Sequence, residues 1–205
     1  MIKLHNRTKN AKQSAIVRRV GALFIALEEW VTNGTPPPPS RVPSLAAGTA
    51  VTAERVKMPE VTGFAVAPGA NTILPPVDWV DPPEASPPAP FNTFVSAVDN
   101  DGNEVAGIRL PPIAVPLGTY TGWNLYRAQP DELADRDGSL IPFARTRAER
   151  EADDDPRPSL AERYGTSDAY VAKLKAAAAA LVAERLLLPA DAEAYVAAAR
   201  NCDRF

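Results

Sequence analysis

Apolar and polar residues near the start of the chain alternate with the period of a helix. The apolar side chains recur at steps of three and four residues, which places them on one stripe of a helix of about five turns. These positions are Ile16, Val20, Leu23, Phe24, Leu27, Trp30 and Val31. Gly34, followed by Pro36 to Pro39, predicts the end of this helix, because glycine suits a helix C-terminus and proline cannot extend the helix.

A β-hairpin is predicted near the middle of the chain. Residues 94–98 and 104–108 are rich in apolar side chains and flank residues 99–103, where Asp101-Gly102 is a typical hairpin turn. Two strands alone are only marginally stable in water. This hairpin therefore needs another part of a fold to pack against.

The last part of the chain predicts three helices. Ser159, with Glu162 three residues later, is a capping box that opens a short helix, and Gly165 ends that helix. A second helix is predicted from Ser167 to just before Pro189, and a third over 191–201. The last two are rich in alanine, which buries little area, so we expect close packing that stabilises little per residue.

The distribution of proline separates these elements. Fourteen of the 22 prolines fall between Pro36 and Pro90. Proline lacks a backbone N–H and is kept out of helix interiors and central strands, so this region predicts an extended arm. Apolar residues stand between the prolines, which indicates that the arm lies against a surface.

The predicted fold class is mixed α/β, with terminal helices, a long proline-rich irregular arm and a β-hairpin. We divide the chain into five segments. They are a helical head at 1–34, a proline-rich extended arm at 35–92, a β-hairpin and aromatic segment at 93–126, an irregular connection at 127–158 and an alanine-rich helical tail at 159–205.

Charge and cysteine content exclude several classes of protein. The 22 Lys and Arg against 25 Asp and Glu give a net charge of −3, which excludes a globally basic nucleic-acid-binding protein. The basic residues before Glu28 can still meet phosphates or acidic lipid, which keeps an accessory protein for membranes or nucleic acids as a third alternative. We predict no nucleic-acid partner. We also predict no membrane span, because the apolar run is far shorter than about 20 residues.

The single Cys202 permits no internal disulfide and no Cys-based zinc site, and we predict no metal and no cofactor.

Residues with catalytic potential are few. The sequence contains no G-x-S-x-G, the sharp turn that exposes a nucleophilic serine. The one histidine, His5, is either a solvated residue of a frayed terminus or a general base. A catalytic triad of His5, an aspartate and Ser139 is formally possible, but nothing around Ser139 builds an oxyanion hole. The Asp99-Asn-Asp-Gly102 segment resembles the start of a calcium loop, yet its Gly comes fourth rather than sixth, which favours a turn.

An aromatic group surrounds Asn124. Tyr120, Trp123 and Tyr126 either anchor an irregular segment to a core, which is the favoured interpretation, or line a pocket. For the second case, Tyr120, Trp123 and Asn124 are the candidate substrate-binding residues.

Six stretches of the sequence carry a family resemblance. They are LFIALEEWVTNGTPPPPSRVP at 23–43, VDNDGNEVAGIRLP at 98–111, TYTGWN at 119–124, IPFARTRAER at 141–150, PRPSLAERYG at 156–165 and AERLLLP at 183–189. Together they resemble the C-terminal part of the bacterial "alpha/beta hydrolase domain-containing" family. The resemblance covers nearly everything from about Val20 to Val196.

The resemblance implies an esterase-like hydrolase. Family members are longer and carry their serine nucleophile upstream of the region represented here, so the chain is expected to be a C-terminal fragment that is inactive alone. It also implies that 1–34 is the last helix of a hydrolase core, which the arm and hairpin wrap. The family has a histidine shortly before this helix, which makes His5 the candidate catalytic residue. An equally good account is that residues 1–12 are unrelated to the family and that the family histidine is absent from this chain.

Partners and location follow from the same resemblance. The expected partner is the missing N-terminal hydrolase core or a second, self-associating copy. The alternative function is a non-catalytic interaction module that wraps a partner protein. We expect a soluble protein, either cytoplasmic or exported by a signal carried on the missing part.

Overall fold

A computed structural model describes residues 8–66, 69–70, 92–126, 132–134 and 138–205, with side chains described from Val20 onward. These residues form six α-helices and three two-stranded antiparallel sheets, which confirms the mixed α/β class. The helices are α1 (Thr8–Asn33), α2 (Pro111–Ala114), α3 (Arg147–Ala152), α4 (Leu160–Tyr164), α5 (Ser167–Ala183) and α6 (Pro189–Arg200). The strands are β1 (Ala50–Thr52), β2 (Phe94–Ser96), β3 (Gly118–Tyr120), β4 (Asn124–Leu125), β5 (Leu133–Ala134) and β6 (Leu140–Pro142). None of the helices in this part of the chain is long and apolar enough to cross a membrane.

Helix α1 ends where glycine permits it to end. Gly34 has a φ of 70°, in the left-handed region, and its N–H donates to the carbonyl oxygen of Trp30 at 3.1 Å. This bond satisfies a carbonyl that the helix itself leaves free, as in other glycine-terminated helices. Beyond it, residues 35–66 contain strand β1 and one 3-10 turn (Ala53–Arg55), while most of the remaining proline-rich arm, 71–91, lies outside the described residues.

The packed face of α1 is not its apolar stripe. The buried side chains are small: Ala22 and Ala26 are 3% and 2% exposed, and a Cβ on Gly21 would lie 3.5 Å from Leu188. The large apolar side chains are exposed; Phe24 is 65% exposed and Trp30 is 53% exposed. Small side chains let α1 approach the start of α6 closely, and its apolar stripe stays uncovered.

The core lies between α5 and α6. One cluster of buried side chains joins the end of α5 to the segment before α2, and a second joins the start of α5 to the end of α6. The first contains Leu110, Ala178, Leu181, Leu186 and Leu187, and the second contains Val115, Tyr170, Leu174 and Ala199. Both clusters reach into the 108–117 region, so the helical tail holds the middle of the chain.

The predicted hairpin is only partly formed. Residues 99–102 form a turn, and Val98 and Glu104 form an isolated antiparallel bridge. Strand β2 instead pairs with β1, with Val51 opposite Val95. A second strand over 104–108 does not continue, because Gly107 adopts a φ of 85° and the chain then turns so that Ile108 packs on the first cluster.

Residues 127–158, predicted as an irregular connection, include regular elements among those described. Strand β6 pairs antiparallel with β3, with Thr119 opposite Ile141. Helix α3 begins at a capping box in which Thr146 accepts from the Glu149 N–H and the Glu149 side chain reaches back to the Thr146 main chain. The T-x-x-E signal was present in the sequence, so this helix could have been predicted from it.

Candidate functional site

A cavity of about 570 Å³ lies beside the β1–β2 pair. This volume is within the range of small-molecule sites, about 300–1,000 Å³. Its walls come from three parts of the chain: residues 53–66 with 69–70, residues 95–104 and residues 120–123, with Leu133 added from β5. Most of the lining side chains are apolar or aromatic; they include Val56, Met58, Val66, Val95, Val98 and Trp123.

The turn at 99–102 fixes one wall of the cavity. Asp99 Oδ1 accepts from the N–H groups of Asp101 and Asn103, each at 3.0 Å, which closes the turn. Gly102 has a φ of 78°, and a Cβ at this position would lie 2.9 Å from Met58. Only glycine suits this position, because the turn presses directly against the arm.

The predicted substrate-binding residues separate into two groups. Tyr120 and Trp123 both line the cavity. Asn124 is not among its lining residues, and its side-chain oxygen accepts from the N–H of Leu125 at 2.8 Å. His5 lies outside the described residues. The structure thus brings two of the four candidate residues to one cavity.

The two aromatic residues differ in environment. Burial raises the pKa of Tyr120 to about 12, so this phenol is neutral at physiological pH. Trp123 stacks on Phe64, with ring centroids 5.8 Å apart and an interplanar angle of 28°. This stacking joins the 120–126 segment to the arm and holds the indole at the cavity wall.

Two acidic residues that the sequence analysis did not select also line the cavity. They are Glu54, in the 3-10 turn, and Glu104, in the bridge opposite Val98. Hydrogen bonds, first from the Thr52 side chain and then from its own main-chain N–H, hold the pKa of the Glu54 carboxyl below its ordinary value. Each glutamate is isolated in the sequence, so no motif marks it.

Ser96 is a hydroxyl-bearing residue of the cavity wall. Its Oγ donates to the carbonyl oxygen of Ala97 at 3.2 Å. The described residues include no histidine to accept a proton from it, since His5 is the only one in the sequence.

A buried polar network supports the cavity wall from behind. Asn103 is fully buried; its Nδ2 donates to the Gly118 carbonyl oxygen at 3.1 Å, and its Oδ1 accepts from the Tyr120 N–H at 2.8 Å. Arg163 forms a bidentate ion pair with Asp101. The turn is thereby fixed to β3 on one side and to α4 on the other.

The most buried charge in this network is Arg157, which is 1% exposed. Its Nη2 donates to Asp155 Oδ2 at 2.7 Å, and its Nη1 donates to Thr119 Oγ1 at 2.8 Å and to the Ile141 carbonyl oxygen at 3.0 Å. Burial acts to raise the pKa of Asp155, but the hydrogen bonds from Arg157 outweigh it and hold this pKa below its ordinary value. The pair locks the β3–β6 sheet to the segment before α4.

The aspartates of the 99–102 turn, which would be the ligands of a calcium ion, are instead paired with arginines. Asp99 Oδ2 accepts from Arg109 at 3.2 Å, and both carboxylate oxygens of Asp101 accept from Arg163. Among the described residues, no group of three or more His, Cys, Asp or Glu is placed to hold a metal ion. The carboxylates of this turn therefore serve the fold.

Comparison with known proteins identifies the family. A search of curated proteins and a search of solved structures each found no match. A family model described as "Alpha/beta hydrolase domain" matches residues 5–197. That range takes in the cavity, the buried network behind it, the first core cluster and all of the second except Ala199. The chain therefore belongs to the α/β hydrolase domain family.

Proposed function

We propose that this chain is the C-terminal portion of a serine ester-type hydrolase, with the nucleophile supplied by a part of the enzyme outside these 205 residues. Two features of the sequence support the proposal: it contains no G-x-S-x-G, and it has a single histidine. The observation that carries the proposal is the uncovered apolar stripe of α1. A helix of this kind needs a second packing surface.

The size of the apolar stripe sets the free energy that a packing partner would gain by covering it. The exposed residues of the stripe are Val20, Leu23, Phe24, Leu27, Trp30 and Val31. Covering a large apolar side chain fully is worth about 1.5–3 kcal/mol, so covering these half-exposed side chains would contribute on the order of 5 kcal/mol. Monomeric proteins seldom expose contiguous apolar patches of this kind. A hydrolase core packed on α1 would gain this energy.

In the complete enzyme the chemistry would be acyl transfer. A serine of the core attacks the ester carbonyl carbon, a histidine removes its proton, and backbone N–H groups stabilise the resulting oxyanion. His5 is our candidate for that histidine, because it precedes α1. The cavity, with Tyr120 and Trp123 in its wall and Asn124 beyond them, would hold a part of the substrate.

Labelling with a serine-directed fluorophosphonate tests the absence of a nucleophile. The isolated chain should stay unlabelled under conditions that label an active serine hydrolase to completion. Stoichiometric labelling of the isolated chain would overturn the proposal. Loss of that labelling in a Ser139→Ala or His5→Ala variant would show that the chain has its own catalytic residues.

The nucleotide sequence before the codon of Met1 gives an independent test. The proposal predicts that this DNA encodes, in frame or after a frameshift, a strand, a serine turn of the G-x-S-x-G type and a helix. Co-expression of that region with the chain should then yield a complex that hydrolyses an aryl ester. An upstream region that encodes nothing of this kind would contradict the proposal.

A second candidate function is a non-catalytic interaction module whose arm wraps a partner protein or a second copy. The exposed apolar residues of the arm favour it: Val42 is 69% exposed and Leu45 is 61% exposed. Sedimentation velocity distinguishes the two functions when the Leu45→Ser and Phe24→Ser variants are compared. Assembly through the arm is lost only in the Leu45 variant, whereas assembly through α1 is lost only in the Phe24 variant.

A further inference from the structure

The charged side chains that are described in the cavity wall have one sign. Glu54 and Glu104 are its charged lining residues, and both are exposed, which places them at the mouth of the cavity. Within the described residues, neither carboxylate takes part in an ion pair. The two aspartates of the neighbouring turn are already paired with arginines, Asp99 with Arg109 and Asp101 with Arg163. The two glutamates therefore keep their charge available to a ligand.

The charge of Glu54 persists over the physiological range. The hydrogen bond from Thr52 favours the ionised carboxylate, and it lowers the pKa of Glu54 below its ordinary value. The Glu104 carboxylate lies over Gly122, with Oε1 3.9 Å from the place where a Cβ would be. This distance places the Glu104 carboxylate beside the main chain of the 120–123 wall of the cavity.

The other described side chains of the cavity wall are mostly apolar or aromatic. The indole of Trp123 is held in place by Phe64 and lines the cavity together with Met58 and Val95. An aromatic face attracts a cation through its quadrupole, and it does so for alkylated ammonium groups that bind few water molecules. Among the described lining residues, an anionic ligand meets no cationic side chain.

We propose that the cavity binds an organic cation, an alkylammonium group on a short apolar body. The ammonium lies against Trp123 within reach of the Glu54 and Glu104 carboxylates, and the apolar body contacts Val56 and Val95. The inference rests on the proposed function in one respect, since it takes this cavity as the ligand site. For the hydrolase it selects esters that carry a cationic group.

The test uses two probes of the same shape and different charge. Choline carries a trimethylammonium group, and 3,3-dimethylbutan-1-ol carries an uncharged tert-butyl group in its place. Titration of the full chain by calorimetry and by ¹H saturation-transfer NMR should give saturable choline binding. The neutral probe should bind at least about tenfold more weakly, because it gains neither the carboxylate attraction nor the cation–π contact.

Charge-neutral variants locate the effect. Glu54→Gln and Glu104→Gln should each weaken choline binding about fourfold, the value for one charge at about 5 Å in water, and leave the neutral probe unaffected. Glu193→Gln is the matched control, because it removes the same charge from an exposed position of α6 outside the cavity lining. Circular dichroism checks that all three variants are folded.

Three results would overturn the inference: equal affinity for the two probes, no binding of choline at 50 mM, or unchanged choline binding in the Glu54→Gln/Glu104→Gln double variant. None of them depends on hydrolysis. Fluorophosphonate labelling reports on the nucleophile alone, so failure of this inference is distinguishable from failure of the proposed function.

Discussion

Replacing Arg157 with methionine tests the buried network behind the cavity. Methionine keeps most of the length of the side chain but removes the guanidinium, which leaves the 6%-exposed Asp155 carboxylate without a counterion. The hydroxyl of Thr119 and the carbonyl oxygen of Ile141 lose their donor as well. Removing one partner of a buried ion pair costs about 3–5 kcal/mol, because the remaining charge stays desolvated.

Urea unfolding followed by far-UV circular dichroism measures this loss. The Arg157→Met variant should lose about 3–5 kcal/mol of unfolding free energy. Arg147→Met is the control: this arginine is 71% exposed and pairs with Glu151 on the surface of α3, so its loss should leave the urea midpoint almost unchanged. An Asp155→Leu/Arg157→Met double variant should recover part of the stability, because it buries no unpaired charge. A loss below about 1 kcal/mol for Arg157→Met would refute the reasoning.

Two further predictions concern the same region. Gly118→Ala places a Cβ 2.9 Å from the Cα of Pro142 in the paired strand, so it should lower the free energy of unfolding by about 2 kcal/mol in the urea assay. Gly69→Ala is the control and should be neutral, because there is open space around Gly69. Equal effects of the two substitutions would contradict the close approach of β3 and β6. Hydrogen bonds, first from Arg150 and then from Ser159, lower the pKa of Glu162 from 4.5 to about 2. Its folded pKa lies below the unfolded one, so its contribution is complete above about pH 4.5 and lost as the pH falls to about 2. The melting temperature of Glu162→Gln should therefore depend less on pH over this window, and an unchanged dependence would contradict the assignment.

Local signals in the sequence were sufficient to predict α1, α4, α5 and α6, whereas α2 and α3 were not predicted. Ser159 is the N-cap of α4, and Gly165 ends it with a φ of 72°. The end of α1 at Gly34 follows from the same stereochemistry. These elements were predictable because each signal acts within about four residues, and no distant part of the chain alters it.

Strand pairing was less predictable, because it depends on distant residues. The turn at Asp99 was correctly placed, but β2 pairs with β1, which lies more than forty positions earlier. No local signal indicates that partner. The burial of α1 was missed for a related reason: periodicity shows where apolar residues lie on a helix but not which face meets the rest of the fold.

Some residues of the candidate site were also predictable from the sequence, and others were not. Tyr120 and Trp123 were selected because aromatic residues next to a polar one are common in pockets. Glu54 and Glu104 were not selected, because a single glutamate in a charged chain carries no signal until the fold places it beside a cavity. The network residues Asp155 and Arg157 look like ordinary surface charges in the sequence, and only their burial reveals their role.

The stretches that carry the family resemblance are largely those that build the buried network. Asp101 and Asn103 lie in the 98–111 stretch, and Arg157 and Arg163 lie in the 156–165 stretch. In this part of the chain the resemblance therefore reflects a structural clamp rather than catalytic groups. Network variants should weaken ligand binding only through lost stability, while Glu54→Gln should weaken it at unchanged stability. Measuring urea midpoints and choline affinity on the same variants separates the clamp from the binding site.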